Sequence, residues 1–186
     1  MEEIPEQQTG NCIKIVLFGP ESSGKTTLSQ KLSEYYNTLW VPEFAREYLQ
    51  QKWENEQKIC EPEDILPIAK GQIILENEAV NSGKKIVFCD TDLLETKVYS
   101  EAYYEGWCHP LVANAAIKNK YDLYLLTYID IPWEADDLRD RPQQRQEMFA
   151  LFEQALIKNK RPYILLKGSV DERMNTAINQ INNLLT

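Results

Sequence analysis

The sequence predicts an α/β fold in which a parallel sheet of about five strands is flanked by helices. Three observations lead there. Short, β-branched apolar runs recur along the chain, segments with helical spacing of apolar residues separate them, and 186 residues suit one domain with one core, since roughly 100–200 residues make a domain. Strands and helices alternating in this way call for right-handed crossovers, with ligand chemistry at the carboxyl ends of the strands.

Residues 1–11 are polar and aperiodic and read as a flexible leader, so the fold is expected to begin near Cys12 and to occupy 12–186 as a single domain. Ile13–Phe18 is nearly continuous in apolar residues and closed by Gly19, as suits a strand buried on both faces. A helix is expected from Lys25 to about Tyr36, stopped by Asn37. Leu39–Pro42 reads as a short strand, followed by a helix from Glu43 to about Trp53 with Phe44, Tyr48 and Leu49 at near-helical spacing. Asp64–Val80 continues that periodicity until Asn81-Ser-Gly83 breaks it, and Lys85–Cys89 forms a third strand ending at Asp90. Beyond it the pattern predicts helices over Leu93–Tyr104 and Pro110–Asn119, a strand over Asp122–Ile129, a helix over Gln143–Asn159 and a strand over Tyr163–Leu166. A last helix fits Glu172–Leu185, with Met174, Ile178, Ile181 and Leu185 on one stripe. No internal repeat or low-complexity linker divides the chain.

Composition narrows the functional classes. Asp and Glu total 29 against 20 Lys and Arg, a net charge of −9. Such a surface repels the phosphate backbone and argues against nucleic acid as a partner. A membrane span takes about 20 consecutive apolar residues, and the longest runs here, such as Ile15–Phe18, are far shorter. The acidic start Met1-Glu-Glu lacks the basic flank and apolar stretch of a targeting peptide, so a cytoplasmic location is expected. Cys12, Cys60, Cys89 and Cys108 are scattered and His109 is alone, which suits reduced thiols and neither a zinc site nor a Cys/His nucleophile.

Gly19-Pro-Glu21-Ser22-Ser23-Gly24-Lys25-Thr26 matches G-x-x-x-x-G-K-[ST] between an expected buried strand and an expected helix. Glycines let backbone N–H groups approach phosphate oxygens, the helix start adds positive partial charge, and the lysine reaches the β- and γ-phosphates. The loop from Gly19 through Thr27 is therefore the expected ATP site of a P-loop NTPase fold, and the Thr26 hydroxyl is an expected Mg²⁺ contact. Asp90, an acid closing an apolar strand at the same edge, is the expected second metal contact, ahead of Asp92; both also suit helix caps.

Three features point to a kinase among proteins with this loop. Glu43, at the end of the second strand, can accept a substrate hydroxyl proton, with Arg46 on the same helical turn as a substrate contact. An ordinary helix start with a paired acid and base fits the same residues. Asp136-Asp137-Leu-Arg139-Asp-Arg141-Pro-Gln-Gln-Arg145 suits a lid that brings Arg139 and Arg141 to the transferring phosphate, or else a solvated charge run. Trp133 just before it can stack on a heterocyclic or cationic ring, or simply pack in the core. Gly168, after the last strand, allows close approach of adenine, although a strand-to-helix turn also favours glycine.

Taken together, Gly19–Leu28, Glu43-Phe-Ala-Arg-Glu-Tyr48, Asp90-Thr-Asp92 and Ile131-Pro-Trp-Glu-Ala-Asp-Asp-Leu-Arg139-Asp-Arg resemble the ribosylnicotinamide kinase domain of bacterial bifunctional NAD-salvage proteins. The likeness runs from the first strand to the last helix, with firm matches in those four stretches and pattern alone over 54–84 and 97–128. It implies a nucleoside/nucleotide kinase-like fold with an Arg-containing lid, and transfer of the ATP γ-phosphate to the 5′-hydroxyl of nicotinamide riboside. It also implies that Trp133 stacks on the nicotinamide ring and that Asp92 and one of Asp136 or Asp137 hold the ribose or offset the pyridinium charge. Glu43 in its Val-Pro-Glu setting is similar to the base of deoxynucleoside kinases. The family's two-domain members add an adenylyltransferase with an H-x-G-H signature, and with His109 alone that activity is not expected in this chain. The alternatives are a kinase for another nucleoside or a nucleotide monophosphate, and a non-catalytic ATP-binding module that senses NAD status.

Overall fold

The computed structural model describes residues 3–186. Five parallel strands, β1 (Ile13–Phe18), β2 (Leu39–Val41), β3 (Ile86–Asp90), β4 (Leu123–Thr127) and β5 (Tyr163–Leu166), form one sheet in the order β2-β3-β1-β4-β5. The chain winds to one side of β1 through β2 and β3, then to the other through β4 and β5, so the switch in winding falls at β1. Register carries this to the residue level. Leu17 pairs with Asp90 and Val41 with Cys89, so the segments that leave β1 and β2 emerge beside the end of β3.

Seven helices link and flank the strands: α1 (Lys25–Tyr35), α2 (Phe44–Glu56), α3 (Ile65–Asn81), α4 (Leu93–Tyr103), α5 (Pro110–Lys118), α6 (Arg145–Lys158) and α7 (Val170–Leu185). Alternate residues of the central strands serve opposite layers, as period-two side chains must. Val16, Phe18, Val87, Tyr124 and Leu126 pack on Val98 of α4 and Phe149, Phe152 and Leu156 of α6. Ile15, Leu17, Phe88, Leu123 and Leu125 pack on Leu28 and Leu32 of α1 and Ala177 and Ile181 of α7. Each such buried side chain contributes about 1.5–3 kcal/mol, which is why the central strands read as continuous apolar runs. A third cluster joins Ile65, Ala69 and Ile73 of α3 to Leu93 of α4 and to Val112 and Ala116 of α5.

The sheet and helices agree with the sequence expectation, with differences at element ends. β4 stops at Thr127 instead of Ile129, because the chain leaves the sheet to form the lid. α6 starts at Arg145, after a short 3-10 turn over Pro142–Gln144. α7 starts at Val170 instead of Glu172, because Ser169 and Glu172 form a reciprocal capping box. Of the expected leader, residues 1 and 2 lie outside the described residues. The rest is irregular and is tied down where Gln7 Nε2 donates to Glu76 Oε1 at 2.7 Å and the Gln8 N–H to Asn77 Oδ1 at 2.8 Å. Among the described residues no helix is long and apolar enough to cross a membrane.

The corner where β2 meets α2 is fastened to α3. Gln72 accepts the Phe44 N–H at 2.9 Å and donates to the Pro42 carbonyl at 3.3 Å, bracketing Glu43. The Phe44 ring lies against Gly71, where an added Cβ would clash with Cζ and Cε1 of that ring. An exposed helical glycine replaced by alanine gains about 1 kcal/mol. At Gly71 the sign reverses, and Gly71→Ala is expected to cost about 1–3 kcal/mol through overpacking, read as a lower denaturation midpoint in urea.

Candidate active site

The loop after β1 is held from beneath by cations. Arg173 Nη1 donates to the Ser23 carbonyl at 2.7 Å, Arg145 Nη2 to that of Ser22 at 3.1 Å, and Lys25 Nζ to those of Gly19 and Pro20 at 2.7 and 2.9 Å. In a trans peptide the C=O and N–H point opposite ways, so carbonyls drawn towards the protein turn the amides of the next residues outwards. Ser23 Oγ ties the turn to Pro20 O and to Thr127 Oγ1, both at 2.6 Å. Two glycines are required by geometry. Gly24 has φ +90, and at Gly19, with φ +146, a Cβ would meet Thr127 Oγ1 at 2.6 Å.

This loop forms one wall of a cavity of about 880 Å³ whose other walls come from α2, α3, α4 and the lid. Lys25 is 8% exposed, and its ammonium stands 3.3 Å from Glu95 Oε1. Thr26 Oγ1 donates to Asp90 Oδ2 at 2.5 Å, while the buried Asp90 Oδ1 has no hydrogen-bond partner. A carboxylate oxygen left open beside a hydroxyl, both hard oxygen donors, fits Mg²⁺. Burial raises the Asp90 pKa, and the charge of Lys25 opposes that rise. Glu43 holds the cap position of α2 without a side-chain capping bond, and the residue lines the cavity. Burial, then the charge of Asp90, raises its pKa, with Lys25 opposing.

Of the residues expected at the site, Glu21, Ser22, Ser23, Gly24, Lys25, Thr26, Thr27, Glu43, Arg46, Asp90, Asp137 and Arg139 line this one cavity. Gly19 contributes its carbonyl from behind the loop. Arg46 does not stand free for substrate: it forms a two-pronged pair with Asp136, which also pairs with Arg139 Nε at 3.2 Å. The lid, residues 128–144, is thereby joined to α2. It meets the loop where the Glu134 N–H donates to Ser22 Oγ at 2.8 Å, and α4 where Tyr103 donates to Asp140 at 2.5 Å.

Four of the expected residues stand off this cavity. Asp92 does not face the cavity: it caps α4 by accepting the Glu95 N–H at 3.0 Å and takes the Tyr124 hydroxyl at 2.7 Å, and burial pushes its pKa to about 6. Trp133 lies outside the cavity wall, its ring 5.7 Å from the Arg145 guanidinium. Arg141 is stacked on the Tyr103 ring at 3.8 Å and does not line the main cavity. Gly168 gives its N–H to Asp130 at 2.6 Å, and a Cβ there would collide with the Glu172 carboxylate, so the helix cap accounts for this glycine.

Two residues that contact the loop are not singled out by the sequence pattern. Arg173, 1% exposed, binds the carbonyls of Ser23, Gly168 and Tyr128 and pairs with Asp130. Its signal is an arginine at i, i+4, i+8 spacing with Ala177 and Ile181, the buried stripe of α7. Glu95 was hidden because Asp92-x-x-Glu95 reads as an ordinary capping pair.

A parallel sheet with this phosphate-type loop at its switch point, carboxylates at the ends of β2 and β3 and an Arg-bearing lid defines a P-loop α/β nucleotide-binding domain. The chain belongs to the AAA domain family, whose model matches residues 14–173. It is 34% identical over 125 residues to the trifunctional NAD biosynthesis/regulator protein NadR of Salmonella typhimurium, a match covering 67% of this chain and 30% of that protein. The chain thus spans less than a third of the length of the curated relatives it matches. The structure of a NadR protein in complex with NR superposes with TM-score 0.75 at 24% identity, over 92% of this chain and 51% of that one. Deoxyadenosine kinase from M. mycoides superposes with TM-score 0.70 at 16% identity, over 92% of this chain and all of that one. The fold is that of nucleoside and nucleotide kinases.

Glu21 supplies a pH test. Burial, with the charge of Lys25 next in size and opposing it, raises its pKa from 4.5 to about 7. Between those values the folded chain binds more protons than the unfolded one. The group's contribution to stability is therefore complete below pH 4.5 and lost as pH rises through about 7. Glu21→Gln is expected to gain stability over the parent at pH 8 and to lose that advantage at pH 4.5, measured as urea midpoints across that range.

Proposed function

We propose that residues 12–186 act as a single cytoplasmic kinase domain that uses ATP and Mg²⁺ to phosphorylate the 5′-hydroxyl of nicotinamide riboside, giving nicotinamide mononucleotide for NAD salvage. The observation that carries this reading is the charge of the cavity. Glu21, Glu43, Glu47, Asp90, Glu95, Glu134, Asp137 and Asp140 line it against only Lys25, Arg46 and Arg139. Such a lining favours an acceptor with a cationic ring and repels one that already carries phosphate. Arg46, the cation best placed for an acceptor phosphate, is already committed to Asp136. Similarity to NadR proteins named for NAD biosynthesis, and to one solved with NR, supports the same acceptor.

In this reading the outward amides and Lys25 grip the triphosphate. Thr26 and Asp90 would hold Mg²⁺, which when bound supplies charge neutralisation on the phosphates. Glu43, its basicity raised by burial, takes the proton of the acceptor hydroxyl as that oxygen bonds to the γ-phosphorus. The bond from the γ-phosphorus to the β,γ-bridging oxygen breaks, and ADP leaves. Arg139, the lid guanidinium on the cavity, stabilises charge on the transferring group. Asp137 is the acid left on the cavity wall to face the acceptor, since Asp136 is engaged by two arginines.

A coupled ADP-release assay over a panel of nucleosides and nucleoside monophosphates tests the proposal. Turnover is expected with nicotinamide riboside and to be at least tenfold lower with neutral nucleosides and monophosphates, a discrimination of about 1.4 kcal/mol. Binding of ATP without acceptor-dependent ADP release would leave a nucleotide-binding module and remove the enzyme. Lys25→Ala is expected to lower kcat about 100-fold or more. Glu43→Gln is expected to lower kcat by roughly 100-fold while leaving the KM for ATP within about twofold.

A further inference from the structure

The proposed reaction gives no task to Glu95. This residue is the third of α4, and an acid at that position ordinarily turns back to the N–H of the capping residue. Glu95 instead reaches the phosphate-type loop. Its Oε2 accepts the Gly19 N–H at 3.2 Å and its Oε1 stands 3.3 Å from Lys25 Nζ. The side chain is 2% exposed, lines the cavity, and leaves Oε1 without an aligned hydrogen bond. An open buried carboxylate oxygen is costly, so its place beside the lysine calls for a reason.

An ammonium has three N–H donors. Those of Lys25 serve Gly19 O and Pro20 O, and the ammonium is held 3.3 Å from the Glu95 carboxylate, so it is surrounded by partners within the protein. A phosphate oxygen gains the lysine only by displacing one of these partners. The carboxylate is the strongest competitor, because charge-assisted contacts outweigh neutral ones and dry surroundings amplify them.

We infer that Glu95 is a positioning residue that acts through Lys25: it holds the ammonium while the loop is empty, yields it to the terminal phosphates of a bound triphosphate, and reclaims it once the γ-phosphate has gone. Glu95 thereby limits affinity for both triphosphate and diphosphate and speeds release of the product nucleotide. The inference rests on the reading of Gly19–Thr26 as a triphosphate site.

Calorimetry with a non-hydrolysable ATP analogue and with ADP, each with magnesium, tests it on the whole chain. Glu95→Gln keeps an oxygen for the Gly19 N–H and removes the charge. It is expected to bind both nucleotides about tenfold more tightly, the size of a one-unit pKa effect from a neighbouring charge. Glu95→Asp, which withdraws the carboxylate by one methylene, is expected to move affinity in the same direction by less. It supplies the result if the Gln variant fails to fold by circular dichroism. A carboxylate that only repels phosphate would give the same gain with or without the lysine, whereas one acting through Lys25 gives a smaller gain in a Lys25→Met background. Unchanged or weaker binding in folded Glu95 variants, or an equal gain in Lys25→Met, overturns the inference. Failure of the unaltered protein to bind the analogue removes the triphosphate reading, and the inference with it.

Discussion

The buried guanidinium of Arg173 is the constraint on which the site depends. It reaches from α7 to three strand ends at once: to Ser23 O beyond β1, Tyr128 O beyond β4 and Gly168 O beyond β5, with Asp130 as its counter-charge. A charge taken out of water is tolerated only when its donors and its sign are both answered, and here both are. α7 in turn is fixed by Ala177 and Ile181 against the sheet. Packing in an apolar layer thus decides where a cation sits, and the cation decides which way the peptides of a loop face. The outward amides of that loop are a consequence of the core as much as of its own glycines.

The lid is fastened differently. Its links to α2, α4 and the loop are the Arg46–Asp136–Arg139 group, the Tyr103–Asp140 hydrogen bond with Arg141 stacked above the ring, and Glu134 on Ser22. Arg46 is 43% exposed and Asp136 25%. Ion pairs of that kind are worth about 0–1 kcal/mol each. They hold the lid against the body at small cost, and an incoming anion can draw Arg139 away from Asp136 without disturbing the sheet. The contrast with Arg173 is one of burial: the same guanidinium chemistry makes a fixed strut inside and an exchangeable latch outside.

The fold was legible because its signals are local. A continuous apolar run closed by glycine, or a stripe at helical spacing, carries its own reading, and such runs account for the five strands and seven helices. The loop, Glu43 and Asp90 were legible for the same reason, since each ends a strand and all strands point one way. Directions of side chains on connecting segments are not legible in this way. Asp92 lies two residues from Asp90 but faces Tyr124, and Trp133 and Arg141 meet Arg145 and Tyr103 in a small cleft behind Pro20 and Glu21 instead of lining the main cavity. These orientations depend on partners distant in the chain, such as Tyr103 and Arg145, which no local pattern names. Gly168 is a position where one residue answers to two readings, and the turn reading has a visible cause in the Ser169-x-x-Glu172 capping box.

A cavity with so many carboxylates raises a physical difficulty for a triphosphate, which would meet more repulsion than attraction if charges alone decided. The geometry divides the labour. At the loop, the attraction comes from amide dipoles and a helix start, of which only the Gly19 N–H is already taken by an acid, Glu95. Apart from Glu21, the carboxylates lie off the loop, on the strand ends, helices and lid, where Glu43, Glu47 and Asp137 line the cavity. Lys25 is the one loop cation exposed to both demands, and it sits among Glu95, Glu43 and Asp90, each of which favours its charged form. Burial opposes that charge and the acids outweigh it, raising the lysine's pKa, while its position is shared between the acids of the fold and the phosphates of a ligand. Backbone dipoles set where the phosphates go, and the surrounding acids set how firmly the lysine can hold them.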